Sequence, residues 1–184
     1  RNSRSVRDAQ GEEVARWVRV ARDSKSTERP RPFEVNVMGH PIRNAATGEI
    51  IDAPFDGTIS FEEYVAQQGA TEIDVLMATN DGQDVTGEYL GSVSSGHDES
   101  LRPAVNFTLR GVGASKFARL TRNNLPDGNL RRRLGIILDG NLLSAPEIRS
   151  TISDRGQITG NFSREEVDKL VGILRAGRLP PALR

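Results

Sequence analysis

The chain contains no cysteine and few aromatic residues. None of its 184 residues is Cys, and Phe, Trp and Tyr together make up 5%. The first absence excludes a disulfide framework and a thiolate metal site. The second predicts a core built mainly from Val, Ile and Leu. Hydrophobic residues at 36% and charged residues at 27% are ordinary for a globular protein.

Long hydrophobic runs are also missing. No apolar run approaches the roughly 18–20 residues needed to span a bilayer, and no signal-peptide core follows Arg1. Because residue 1 is not Met, we expect a piece of a longer protein. Any membrane segment of that protein is expected to lie outside this chain.

The formal net charge of zero hides an uneven distribution. Residues 1–100 carry 10 basic and 18 acidic side chains, a difference of −8, whereas residues 101–184 carry 15 and 7, a difference of +8. This division indicates two subdomains with opposite surfaces, and it leaves nucleic-acid or membrane contact as an alternative. We therefore predict an N-terminal domain over residues 1–100 and a second domain over residues 101–184.

Residues 1–100 are weakly patterned. Val14, Trp17, Val18 and Ala21 recur at helical spacing and predict an N-terminal helix. Ser60 with Glu63 forms the capping box of a second helix. The remaining expectations here are strands over 33–37, 49–51 and 72–78, turns over 46–48 and 80–83, and an exposed loop over 92–100.

Residues 101–184 give sharper signals. A strand over 104–109 precedes a helix that ends near Asn124, and Pro126-Asp127-Gly128 is typical of a turn. A strand over 133–138 leads into Asp139-Gly140, a strong hairpin signal, and Pro146 ends the return strand. A short strand over 157–162 precedes a helix that Ser163 and Glu166 cap and Gly177 ends. This order predicts an α+β fold with helices on one face of an antiparallel sheet.

Candidate chemical groups are few and isolated. His40 and His97 lie in predicted loops without a second ligand, so we interpret them as surface residues. Gly111-Val112-Gly113 lacks the third glycine of a dinucleotide fingerprint, and no P-loop is present. Asp139 is better explained by the hairpin turn, and Ser144 has no evident base. We therefore predict no catalytic site, no cofactor and no metal.

Three blocks of the second half occur in a specific order. The first block is 103–123, with Val105, Phe107 and Gly113-Ala114. The second is 134–148, with Asp139-Gly140 and Ser144-Ala145-Pro146. The third is 156–183, with Gly160-Asn161-Phe162 and Arg175-Ala176-Gly177. In this order the blocks resemble the SecD family, which also occurs as the SecD half of fused SecDF proteins. The resemblance marks these as structural motif positions: Asp139, Gly140, Ser144, Ala145, Pro146, Gly160, Phe162, Arg175 and Gly177.

The resemblance implies a fold, a location and partners. It implies a ferredoxin-like base with truncated edge strands in residues 101–184, and a smaller head-like α+β subdomain in residues 1–100. It places the domain on the periplasmic face of the bacterial inner membrane, anchored through segments outside this chain. The implied partners are unfolded preprotein, SecF and the SecYEG translocon, with export assisted by the proton gradient.

The basic run Arg131-Arg132-Arg133 supports a different hypothesis. A basic ferredoxin-like sheet is also the framework of an RNA-recognition module. That module stacks bases on exposed aromatic residues, and Phe107 is the lone aromatic on these strands, so we expect no nucleic acid as a partner. The run could instead face anionic headgroups at a membrane surface.

Overall fold

The computed structural model describes residues 3–23, 26–79, 85–159 and 162–176. The chain divides into two compact units: a first unit of residues 1–80 and 135–145, and a second unit of residues 81–134 and 146–184. The helices and strands in chain order are β1 (Ser5–Arg7), β2 (Glu13–Val20), β3 (Ile42–Asn44), β4 (Ile50–Ile51), α1 (Phe61–Gln67), β5 (Ile73–Ala78), β6 (Leu90–His97), β7 (Pro103–Leu109), α2 (Val112–Asn123), β8 (Ile136–Leu138), β9 (Asn141–Ser144), β10 (Arg155–Ile158) and α3 (Arg164–Ala176).

The first unit is a mixed sheet covered by α1. Its strand order is β4-β3-β5-β2-β9-β8, and β1 pairs with the start of β2. All pairings are antiparallel except β2 with β9. Alternate residues of the strands face one core, which α1 closes with Tyr64 and Val65. The buried strand residues of this core are Val18, Val20, Ile42, Ile73, Val75 and Leu142.

A buried ion cluster lies on the first unit's sheet. Asp74 is 1% exposed and sits between Arg19 on β2 and Arg43 on β3. Arg19 Nε donates to Asp74 Oδ1 over 2.9 Å, and Arg43 Nη2 donates to Oδ2 over 3.0 Å. A slipped register would leave a buried charge without its partner, so this cluster favours one pairing of the three strands.

The second unit is a three-stranded antiparallel sheet, β10-β7-β6, with two helices. Phe107 on β7 meets Phe117 on α2 edge to face, with ring centroids 5.6 Å apart. Helix α3 contacts β6 and β7 and buries Val167, Leu170 and Val171. The opposite face of the sheet is polar, with Gln157 Nε2 donating to Asn106 Oδ1 over 2.7 Å. The α+β class predicted from the sequence is confirmed.

Several local predictions are confirmed. Ser60 and Glu63 form a reciprocal capping box at α1, and Ser163 and Glu166 do the same at α3. Strands β5 and β7 and helix α2 lie within about two residues of their predicted bounds. Asp139 and Gly140 join β8 to β9 with φ of 49° and 77°, as a type I′ turn requires.

Three element predictions in residues 1–100 are wrong. The predicted N-terminal helix is strand β2, in which β-branched Val18 and Val20 alternate with Arg19 between the core and the other face. Residues 33–37 form no strand: Phe33 makes a single bridge to Arg22, although Val35 and Val37 are buried. Most of the predicted loop over 92–100 is strand β6. The predicted turn over 80–83 lies outside the described residues.

The observed division of the chain differs from the predicted boundary at residue 100. Strands β6 and β7 form one hairpin whose tip contains residues 98–102, so a cut there would split it. The hairpin β8–β9 pairs with β2, and Leu142 enters the first unit's core. The predicted order of strands and helices holds in residues 101–176, but the β8–β9 hairpin belongs to the first unit's sheet.

Candidate functional site

The second unit contains a cavity of about 490 Å³ that runs along β10. Residues 155–159 line one side and residues 146–152 line the opposite side. Successive residues of a strand point to opposite faces. Because residues 155–159 are consecutive, residues from both faces of β10 line the groove. The backbone edge of β10 therefore forms part of the groove wall.

The floor of the groove is apolar. The rings of Phe107 and Phe117 contribute to it, together with Ile148 and Ile152. A side chain at Gly156 would collide with the Phe107 ring and with Ile152. Glycine at this position therefore lets β10 lie directly over the aromatic floor.

The wall formed by residues 146–152 is held at both ends. Thr121, which is fully buried in the last turn of α2, donates from Oγ1 to the Phe117 carbonyl over 2.8 Å and accepts from the Ile152 amide over 2.9 Å. At the other end the Leu134 amide donates to the Pro146 carbonyl over 2.8 Å. The groove is thus bounded by two backbone segments, each hydrogen-bonded to the rest of the unit.

The outer edge of β10 presents main-chain groups to the groove. The Leu109 amide donates to the Asp154 carbonyl over 2.7 Å, so Asp154 and, by alternation, Gly156 and Ile158 bond to β7. The N–H and C=O groups of Arg155 and Gln157 consequently point away from the sheet. In the part of the chain that the structure describes, β10 is the last strand at this edge.

The other edge of the same sheet is blocked. On β6, Val93 and Ser95 point outward, because the Asp98 amide bonds to the Arg102 carbonyl of the hairpin and the direction alternates along the strand. Arg175 of α3 donates to the Val93 carbonyl from Nε over 3.1 Å and from Nη2 over 2.9 Å. A charged donor and a helix therefore cover the edge at β6, whereas a groove lies along the edge at β10.

A tight loop with an exposed apolar tip stands at one end of the groove. Asp98 accepts from the backbone N–H of Arg102, which holds the pKa of this carboxyl below its ordinary value, and also from the amide of Ser100. The loop carries Leu101 at φ 59° with 82% of its surface exposed. A non-glycine residue in the left-handed region is strained, and an exposed leucine gains nothing from burial.

The seven motif residues that the structure describes are divided between the two units. Asp139 and Gly140 make the β8–β9 turn, and Ser144 and Ala145 end that hairpin in the first unit. Pro146 lines the groove, and Arg175 covers the edge of β6. Phe162 lies half-buried just before α3. Gly160 and Gly177 lie outside the described residues.

Sequence reasoning missed the groove itself. Its floor and walls include Phe107, Thr121, Gly156 and Ile158, which occur in the family-like blocks but carry no chemical signature. The available signal was Gly156 at the start of a short strand, because a strand glycine often marks a close approach of other groups. His40 and His97 are exposed. Within the described ranges no three His, Cys, Asp or Glu residues cluster as metal ligands.

Comparison with known proteins identifies the family. The family model for the SecDF P1 head subdomain matches residues 62–181, and the chain therefore belongs to this family. The region for which a ferredoxin-like base was expected, residues 101–184, thus lies almost entirely within the head match. None of the helices in the described ranges is long and apolar enough to cross a membrane.

Two curated relatives agree with this assignment. Protein translocase subunit SecD of Aquifex aeolicus is 48% identical over 100 residues, which are 54% of this chain and 19% of that protein. SecD of Magnetococcus marinus is 32% identical over 150 residues, 81% of this chain and 27% of that protein. The crystal structure of SecDF from Thermus thermophilus, a translocon-associated membrane protein, shares 37% identity over 51% of this chain and 12% of its own, with a TM-score of 0.44. The chain spans a fifth to a quarter of the length of these curated relatives.

Proposed function

We propose that the second unit binds an extended, unfolded segment of a preprotein by main-chain pairing along the outer edge of β10. In this proposal the chain is an extracytoplasmic part of a protein-translocation accessory subunit. Preprotein is its substrate, SecF and the SecYEG translocon are its partners, and the proton gradient assists export through parts outside this chain. The names of the relatives, translocase subunit and translocon-associated protein, support this assignment.

The observation that carries the proposal is the difference between the two edges of one sheet. Arg175 donates to the Val93 carbonyl at the β6 edge, while Arg155 and Gln157 direct their main-chain groups into a groove with an apolar floor at the β10 edge. An added strand bonds to such groups without reading side chains. A transport module must accept many different sequences, and main-chain pairing provides that tolerance.

The dimensions of the groove fit a short extended segment. At about 3.3 Å per residue, residues 155–159 span roughly 13 Å, which matches four or five residues of a paired strand. Each main-chain hydrogen bond contributes only about 1 kcal/mol net. Binding through two outward-facing residues and an apolar floor should therefore be weak and rapidly reversible, as passage of a chain requires. The role is one of binding, without catalysis.

A pair of substitutions at Arg155 tests the proposal. Proline at an edge position removes the outward N–H and is tolerated there because that group makes no bond to β7. We expect Arg155→Pro to weaken binding of a permanently unfolded model polypeptide about threefold to tenfold, since it deletes a pairing donor. Arg155→Ala is the matched control, because it removes the same side chain and keeps the N–H.

Binding is measured by fluorescence anisotropy of the labelled unfolded polypeptide. A labelled protein that is stably folded serves as the second control. Circular dichroism of both variants must match the parent chain. If Arg155→Pro binds as tightly as Arg155→Ala, or if the folded control binds equally well, main-chain pairing at β10 is not the mode of recognition.

A further inference from the structure

A cationic surface on α2 and the following loop is not used by the groove. Between residues 103 and 134 the chain has seven basic residues and one acidic residue, Asp127. Arg119 and Arg122 lie on the solvent face of α2, opposite buried Phe117 and Thr121. All of these residues belong to the second unit.

The loop after α2 adds to this surface. Arg132 Nη1 donates to the Leu125 carbonyl over 3.3 Å, and Arg131 Nη1 donates to the Gly128 carbonyl over 2.7 Å. These bonds fold the loop back onto itself just beyond the C-terminal end of α2. Arg131 is exposed there beside Leu130. We call the residues Lys116, Arg119, Arg122, Arg131 and Arg132, with Val112 and Leu130, the basic surface.

The charges of the basic surface are not neutralised locally. Ion pairs within the second unit involve Arg102, Arg149 and Arg155, and in the described residues no carboxylate pairs with Arg119, Arg122 or Arg131. A cluster of uncompensated arginines repels itself, and a polyanion relieves that repulsion.

Two exposed apolar side chains indicate which kind of polyanion the basic surface binds. Val112 is 62% exposed and Leu130 is 51% exposed, one at the start of α2 and one in the loop. Apolar side chains among cationic ones are typical of segments that lie in a bilayer interface. Single-stranded nucleic acid calls for exposed aromatic platforms instead. Phe107 and Phe117 are buried, and Tyr89 is covered by Lys116 and by Gly113 of α2.

We propose that the basic surface docks on an anionic phospholipid bilayer. Arginines 119, 122 and 131 contact phosphate headgroups, while Val112 and Leu130 enter the boundary between headgroups and acyl chains. The basic surface and the β10 groove are separate parts of the second unit. Vesicle binding can therefore be tested independently of polypeptide binding.

The test is co-sedimentation of the 184-residue chain with vesicles. Vesicles of equal parts phosphatidylglycerol and phosphatidylcholine should bind the chain at low salt, and pure phosphatidylcholine vesicles should not. Each arginine near an anionic surface changes the partition coefficient of a protein between vesicles and solution about fivefold. The triple variant Arg119→Gln, Arg122→Gln, Arg131→Gln should therefore bind the vesicles on the order of a hundredfold less tightly. The control variant Arg4→Gln, Arg31→Gln, Arg164→Gln removes the same charge from exposed positions outside the basic surface and the groove, and it should bind like the parent.

Substitution of the two apolar residues provides a second test of vesicle binding. Val112→Ser with Leu130→Ser should weaken vesicle binding severalfold while leaving binding of a single-stranded RNA unchanged. Failure of the parent chain to bind anionic vesicles at low salt overturns the proposal. Equal losses in the triple variant and its charge-matched control overturn it as well. Tight RNA binding at a salt concentration that abolishes vesicle binding would assign the surface to nucleic acid.

Discussion

In the second unit, residues beside the groove can have both a strained backbone conformation and an exposed side chain. Leu101 is the clearest case, because it holds a positive φ and exposes 82% of its surface at the tip of the β6–β7 hairpin. Asparagine or glycine would fit this backbone with less strain. Under the proposed binding mode, this leucine is available to contact a polypeptide that extends beyond the groove, whose lining includes Ser100 and Arg102 on either side of it.

Replacing Leu101 should separate stability from binding. We expect Leu101→Asn to raise the free energy of unfolding by about 0.5–1 kcal/mol, because asparagine tolerates the left-handed region, and to weaken polypeptide binding. Leu101→Ala should weaken binding similarly without the gain in stability. Denaturant unfolding and anisotropy titrations measure the two effects. Unchanged binding in both variants would remove Leu101 from the site.

Asp98 makes the hairpin tip sensitive to acid. The Arg102 backbone N–H and the Arg102 side chain lower the pKa of Asp98 from its ordinary value of 3.8. A lowered pKa in the folded state contributes stability above the ordinary pKa, and that stability is lost as pH falls through the folded value. We therefore expect stability to decrease as pH falls from about 5 to values below the ordinary pKa of 3.8, and Asp98→Asn to show a smaller decrease.

Thermal unfolding across this pH range measures the Asp98 effect. Asp154→Asn is a suitable control, because Asp154 lies in the same unit with 62% of its side chain exposed, and its ion pair with Arg155 is longer, at 3.7 Å. If Asp98→Asn and Asp154→Asn have the same pH dependence, the hydrogen bonds from the 98–102 loop do not set it.

Whole elements were predictable from the sequence where local contacts determine them. The capping boxes of α1 and α3 and the β8–β9 turn depend on residues within a few positions of each other, so their signals are complete in the sequence. Strand β2 was predicted as a helix because its partners β5 and β9 lie far along the chain. Most of strand β6 was predicted as a loop because residues 92–100 are small and polar and include Gly96, and such residues are poor strand formers.

The structure explains the glycines of β6 and the limits of predicting the site. Side chains at Gly91 and Gly96 would collide with Thr108 and Asn106 of β7, so the glycines allow these neighbours to lie across the strand. A groove along β10 depends on which edge of a sheet is left open. That property follows from the packing of α3 and of residues 146–152 and has no local sequence pattern.

Helix α3 covers the edge of β6, and substitution of Arg175 tests whether this cover prevents strand pairing. We expect Arg175→Ala to release the Val93 carbonyl and to increase self-association of the chain through β6, because open strand edges pair with one another. Arg164→Ala, at the exposed start of the same helix, should stay at the parent level. Sedimentation velocity at several concentrations measures the difference. Equal sedimentation of the two variants would show that the Arg175 guanidinium does not protect this edge.

Across the whole molecule, the features considered for binding lie in the second unit. The first unit has a larger sheet with a buried Asp74 cluster, whereas the second unit holds the groove along β10 and the basic surface of α2. The head-subdomain match begins within the first unit and includes nearly all of residues 81–184. The resemblance found in the sequence therefore led to the correct family, while its division into head and base did not anticipate these two units.

Amide hydrogen exchange of the chain with and without a bound unfolded polypeptide tests the central proposal most directly. We predict that exchange slows at Arg155 and Gln157, whose amides point out of the sheet, and stays unchanged at Ser95 on the β6 edge. Saturating polypeptide that leaves Arg155 and Gln157 exchanging at their original rates would contradict strand addition at β10.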